Sequence, residues 1–301
     1  MGLLGSNKRT RLPFIILSST HRYDGRIQWM GGDMAKRPRR ISPEAVSTFA
    51  FGLLIVVTTQ CVSSGGPATS PSSAVPSTRA SSSSASGLAP IHGKYSPSID
   101  PANFVTTIDN PYWPLKPGTA FHYEGVRGTT RQTDDEVVTH KTKQILGITS
   151  TVVRDTVSEH GAPVERTFDW YAQDRQGNVW YMGEDSFELK EGHFVKASDS
   201  WESGVDGAQP GIIMPANPQP DDAYRQEYYP PGEALDEARV LSLNGSVKVP
   251  YGRFKGVLVT SERSPLEPQT EQKYYAPGIG EVEERVVAGH HEEFQLVSVT
   301  S

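Results

Sequence analysis

From Tyr95 onward the chain is built of short runs rich in Val, Thr, Tyr, Phe and Trp, broken every few residues by Gly, Pro, Asn or Asp. Runs of this kind read as strands joined by turns. No apolar pattern at helical spacing extends beyond two turns to compete with them. Strands are predicted over residues 120–126, 136–145, 149–158, 164–173, 179–184, 187–190 and 194–196, then 224–229, 238–243, 246–249, 256–264, 272–276, 280–287 and 293–299. Hairpin turns are expected at 159–162, 174–178, 190–192 and 243–246, the short connections that join antiparallel neighbours. Residues 221–229 or 233–240 could instead form short helices. About 205 residues suffice for one all-β sandwich, barrel or half-barrel and are few for two domains. The expected fold class is therefore all-β, a single antiparallel sheet domain over 95–301.

The first third has the wrong composition for a core, and its charge differs from the rest. Residues 1–61 hold nine Lys/Arg and three Asp/Glu, whereas 62–301 hold 20 and 32, a net charge of −12. Such an acidic module repels phosphate backbones, so nucleic acid is not expected as a partner. Plain solubility accounts for the acidity without a designed acidic site.

From Met34 the chain reads as a signal segment, with Lys36, Arg37, Arg39 and Arg40 followed by an apolar run over 45–57. At about 13 residues the run is short of the roughly 20 that span a membrane as a helix. Cys61, the one cysteine, follows it and cannot form an internal disulfide. The arrangement resembles a bacterial lipoprotein signal, which implies a diacylglyceryl group on Cys61 and an extracytoplasmic, membrane-anchored location. Gln60 and Thr58 stand where that pattern has a small and an aliphatic residue, so cleavage by an ordinary signal peptidase, giving a secreted protein, is the alternative. A leader works from an N-terminus, so residues 1–33 are expected to be an over-long extension, with translation starting at Met34 or Met30. Residues 62–94 are Ser-, Pro- and Gly-rich at first and are expected to form a disordered linker, about 30 Å in root-mean-square reach.

Three motifs carry a further resemblance: Asn110-Pro111-Tyr112-Trp113-Pro114-Leu115-Lys116-Pro117-Gly118, Val249-Pro250-Tyr251-Gly252-Arg253-Phe254, and Tyr274-Tyr275-Ala276-Pro277-Gly278-Ile279-Gly280-Glu281-Val282. Through them the stretch 105–285 resembles a group of poorly characterised secreted bacterial β-rich proteins and lipoproteins. The resemblance implies a long-stranded antiparallel sheet curled like a half-barrel and transfers no activity.

Signatures of chemistry are sparse. His290-His291-Glu292-Glu293 offers two ligands per strand face, fewer than zinc needs, and reads as a solvated strand end. Gly-x-Ser-x-Gly, His-Glu-x-x-His and phosphate-cradling glycine loops are absent. Asp134-Asp135-Glu136 and Asp221-Asp222 could take calcium, but adjacent carboxylates more often solvate a loop; no metal site and no cofactor are expected. The aromatic pairs Trp170-Tyr171 and Trp180-Tyr181 flank one hairpin, and alternation sends one member of each pair to either face. The long segment 201–218, with Trp201 at its start and Ile212, Ile213 and Met214 at its centre, is expected to plug the open side of the sheet or to form a lid.

The leading expectation is a tethered, non-enzymatic envelope domain with a ligand-binding or structural role. Its weak ligand-binding set is Trp170, Tyr171, Trp180, Tyr181, Trp201, Ile213 and Met214, and the ligand expected is apolar or amphipathic. The competing expectation is a secreted carboxylate-dependent hydrolase or lyase using Asp169, Glu184 or Asp185 with a nearby His. Buried, converging carboxylates would favour the second.

Overall fold

The computed structural model describes residues 84–266 and 268–301. The stretch 1–33, the leader 34–61 with Cys61, and most of the expected linker lie outside the described residues. A helical turn, α1 (Ala85–Leu88), and three short strands come first: β1 (Phe104–Val105), β2 (Asp109–Asn110) and β3 (Trp113–Pro114). Five long strands follow as a meander, β4 (Ala120–Arg127), β5 (Thr130–Ile145), β6 (Ile148–Glu159), β7 (Ala162–Asp174) and β8 (Val179–Lys190). Shorter pieces, β9 (His193–Lys196), β10 (Trp201–Glu202), β11 (Gln209–Met214), β12 (Ala223–Arg225) and β13 (Glu227–Tyr228), lead to a second meander. That meander is β14 (Glu237–Val249), β15 (Gly252–Arg263), β16 (Thr270–Ala276), β17 (Gly280–Ala288) and β18 (Glu292–Thr300).

The sheet runs β12-β14-β15-β16-β17-β18-β4-β5-β6-β7-β8-β11-β13, with antiparallel neighbours throughout. Its two end strands, β12 and β13, are consecutive in the chain and separated by Gln226 alone, so the sheet nearly closes into a barrel. The all-β antiparallel fold read from the sequence is the fold observed. Tight hairpins make it possible: Leu146-Gly147, His160-Gly161 and Glu191-Gly192 each have two successive positive φ angles, the geometry of a two-residue turn that matches strand twist.

Three local expectations are corrected. Asn244-Gly245 is not a turn but lies inside β14, where register shifts flank Gly245 opposite Val257. The reversal comes instead between Val249 and Gly252. Neither 221–229 nor 233–240 is α-helical, since β12, β13 and the start of β14 occupy them. The segment 201–218 is not a structureless loop; β10 and β11 both pair with β8, and Ile212 and Met214 are fully buried.

A different segment covers the barrel. The β2–β3 ribbon crosses one end of it: Gln173 Oε1 accepts hydrogen bonds from the backbone N–H of Asp109 and of Asn110, both at 2.9 Å. Asn110 Nδ2 donates to Gly177 O and Pro215 O, and Gly278 N donates to Pro111 O on the far side. Trp113 hangs from this ribbon onto Tyr171 and Tyr275, with ring centroids 5.6 and 5.8 Å away. Two of the resemblance motifs, at 110–118 and 274–282, therefore meet here.

Residues 84–91, placed in the linker from composition, dock on β12. Ala223 N donates to Ser86 Oγ, Arg225 N to Ala89 O, and the Arg225 guanidinium to Pro90 O and Ile91 O. Ala85 and Ala89 are buried in the process.

Candidate functional site

Inside the barrel lies a cavity of about 100 Å³ whose lining mixes aromatic and aliphatic side chains with many acidic ones. Among the described residues, eight carboxyl side chains line it against one lysine. Alternation supplies the first four. Asp134 and Glu136 on β5, Asp155 on β6 and Asp169 on β7 occupy inward positions of the same strands that turn Val138, Val153 and Tyr171 into the interior.

The others arrive through irregularities. In β8 the register slips between Trp170↔Gly183 and Tyr171↔Tyr181, so that Tyr181 and Glu184, three apart, both face inward. A Cβ at Gly183 would meet Trp201 O at 2.4 Å, which is why glycine stands at the bulge. In β17 a second slip, between Tyr274↔Glu283 and Tyr275↔Glu281, does the same for Glu281 and Glu284. Glu292 completes the set from the start of β18, held by Arg127 through Nε at 2.8 Å and Nη2 at 2.9 Å and by His290 Nε2 at 2.9 Å.

Lys273 on β16 is the internal cation, with Nζ 3.3 Å from Glu284, 3.6 Å from Glu281 and 3.9 Å from Glu262. Burial alone would lower its ammonium, but Glu281, Glu284, Glu262 and Glu271 outweigh burial and hold it well above the ordinary lysine value. Glu262 is satisfied independently by Gln226, Thr260 and Tyr275.

One ammonium does not neutralise this interior. Two like charges about 4 Å apart repel by about 4 kcal/mol at an effective dielectric of about 20, so the carboxyls retain protons where nothing else offsets them. Burial first, then the Asp155 and Asp169 charges, pushes Glu136 up to about 8. Burial pushes Asp169 up to about 7 against the opposing hydrogen bond from Tyr181. Asp155 rises to about 6 by burial, moderated by a hydrogen bond from Asp134. Asp134 itself is raised well above the carboxylate range by burial and by Asp155 and Glu136, and is the protonated donor of that pair.

Of the seven aromatic and aliphatic residues singled out from sequence, Tyr171, Tyr181 and Ile213 line the cavity. The two tyrosine rings stack with centroids 4.9 Å apart. Trp201 stands edge-on to Tyr181 and donates from Nε1 to Glu227 at 2.8 Å. Trp170 lies under the Lys143 ammonium, 3.1 Å from the ring centroid, and Trp180 donates from Nε1 to Asp174 at 3.0 Å. These two and Met214 are buried away from the cavity. Asp185 also stays outside, ion-paired with Lys196, and no lining residue is a histidine. Sequence reading placed Asp134-Asp135-Glu136 in a solvated loop; the three lie within β5, and only Asp135 points outward, to His122 at 2.7 Å.

No family model matches the chain, and no curated protein matches it. Among solved structures, a Bacteroides fragilis protein described as exported and of YmcC-like fold is similar at 13% identity with a TM-score of 0.36, covering 63% of this chain and 99% of its own. A Parabacteroides distasonis protein described as a lipoprotein is similar at 10% identity with a TM-score of 0.35, covering 64% and 99%. Likeness at this level transfers no function to this chain.

Proposed function

We propose that the chain is an exported, lipid-anchored envelope protein whose barrel interior binds a small cationic ligand. The anchor rests on the leader at 34–61 and on Cys61, with the Ser/Pro/Gly-rich stretch after it as a tether. One observation carries the binding role: eight carboxyl groups line a partly open cavity that holds a single lysine. An interior of that charge favours a cation over the apolar or amphipathic molecule expected from sequence, while Trp113, Tyr171 and Tyr181 add aromatic walls suited to an ammonium group. Calorimetric titration of the full chain with putrescine, guanidinium and calcium chloride, against glycerol and octanoate, tests the reading. At least one cation binds, more weakly in Glu136→Gln; binding of octanoate with no response to any cation sinks it.

A second reading has a specific observation in its favour. Tyr181 Oη bridges Asp169 at 2.6 Å and Glu184 at 3.0 Å; burial raises Asp169 to about 7 and holds Glu184 well above the ordinary carboxylate value. One base and one acid side by side suit a carboxylate-dependent hydrolase or lyase. Hydrolysis of a glycoside or ester by the full chain, abolished in Asp169→Asn and Glu184→Gln with the fold intact, would establish it over pure binding.

A further inference from the structure

We infer that the interior holds a hard divalent cation of the calcium class on Asp134, Glu136 and Asp155; this rests on the cationic reading above and narrows it. Asp134 and Glu136 alternate along β5 and face the same way. Across the ladder Asp134 faces Val157 and Val137 faces Arg154, which sets Asp155 beside Glu136. One carboxylate oxygen from each of the three lies within 4.8 Å of the others. Three oxygens 4.8 Å apart would surround a central ion at about 2.8 Å, so a shift of a few tenths of an ångström brings all three within the 2.3–2.6 Å of calcium ligation.

An unpartnered oxygen points to the same conclusion. Asp134, 9% exposed, leaves Oδ1 without a hydrogen bond. Buried polar atoms of this kind are ordinarily satisfied, and here no protein donor does it. Lys273 is engaged elsewhere, its Nζ within 4.0 Å of Glu262, Glu281 and Glu284. The lining contains neither histidine nor cysteine, and an all-oxygen set selects calcium, magnesium or manganese over zinc or copper. The cavity of about 100 Å³ leaves space for waters to complete a shell of six to eight ligands.

The test uses the full chain stripped with chelator. Calcium at about 1 mM, the range of extracellular sites, raises the melting temperature by several degrees. Glu136→Gln and Asp155→Asn lower the apparent affinity at least tenfold without lowering the metal-free melting temperature, because each exchanges a buried carboxyl for a neutral amide of the same shape. Asp221→Asn, at a side chain 89% exposed, leaves the calcium response unchanged. Should the interior variants fail to fold, terbium luminescence of the wild-type chain, sensitised by Tyr123 and Tyr171 and quenched by competing calcium, reads the site without substitution. Absence of both the shift and the sensitised emission overturns the inference, as does an equal shift in folded variants. If putrescine then still stabilises the chain through Glu136, only the metal assignment falls; if no cation acts, the cationic reading falls with it.

Discussion

Tyr181 donates its single hydroxyl proton to Asp169 Oδ1 across 2.6 Å. Glu184 Oε2 lies 3.0 Å from the same phenol oxygen, and a hydroxyl has only one proton to give. The two carboxyls therefore compete for it, and the shorter contact makes Asp169 the principal acceptor. Burial, with the Glu227 and Asp169 charges, holds Glu184 well above the carboxylate range against the hydrogen bond from Tyr181. The bulge at Gly183 thus sets two raised carboxyls on one phenol.

Replacing Tyr181 with Phe removes the donor that restrains Asp169. Its carboxyl, at about 7 in the native chain, moves higher, because the lost hydrogen bond is what opposes burial. Carboxyl carbon NMR titration of labelled aspartate reads the midpoint directly. Urea unfolding at pH 8 loses about 1–3 kcal/mol, and less at pH 5, where Asp169 is protonated in both proteins. An unmoved midpoint would refute the proton assignment.

Stability should fall as pH rises through the neutral range in the cation-free protein. Asp155, Asp169 and Glu136 sit at about 6, 7 and 8 when folded, above their unfolded values near 4. A raised carboxyl means that the folded state binds the proton more tightly, so the stabilisation is complete below about pH 4 and disappears between about pH 4 and 8. Together the three are worth several kcal/mol on an order-of-magnitude basis. Thermal denaturation from pH 5 to 8.5 in chelator gives a declining melting temperature; a flat profile would mean that the interior is neutralised some other way.

Lys273→Met leaves Glu281 and Glu284 without their cation. Removing one partner of a buried ion pair costs about 3–5 kcal/mol. The loss appears in urea unfolding at pH 7.5 and shrinks at pH 5, where protons take over the role of the ammonium. An equal loss at both pH values would assign Lys273 to packing rather than to charge.

What was legible in the sequence follows composition and turn residues. β4, β6, β7, β16, β17 and β18 are close to the predicted runs because stretches rich in Val, Thr, Tyr and Phe stand there between turns containing Gly, Pro, Asn or Asp. The interior was hidden for a physical reason. Asp134, Glu136 and Asp155 share inward positions with Val138, Val153 and Val157, a coincidence that shows only once acidic residues are allowed on the inner face. Glu184, Glu281 and Glu284 reach the cavity through bulges, which change the face without changing composition. The β2–β3 cover is two residues per strand, too short for any periodicity. Leu146 in a left-handed turn likewise carries no turn signal of its own.

The barrel seam gives the last prediction. Gln226 joins β12, paired to β14, with β13, paired to β11, and its backbone passes against Gly211 of β11. A Cβ at Gly211 would sit 2.2 Å from Gln226 O and 2.7 Å from Arg225 O, contacts that no side-chain rotation relieves. Gly211→Ala must therefore part β11 from the 225–226 backbone, at a cost of about 1–3 kcal/mol. The opening is local: hydrogen exchange should speed up for amides of β11, β12 and β13 while β5, β6 and β7 keep their protection. Gly87→Ala serves as the control, since its added Cβ meets nothing nearer than 3.7 Å. If exchange instead rises uniformly through both meanders, the seam is not a separable element and the barrel unfolds as one unit.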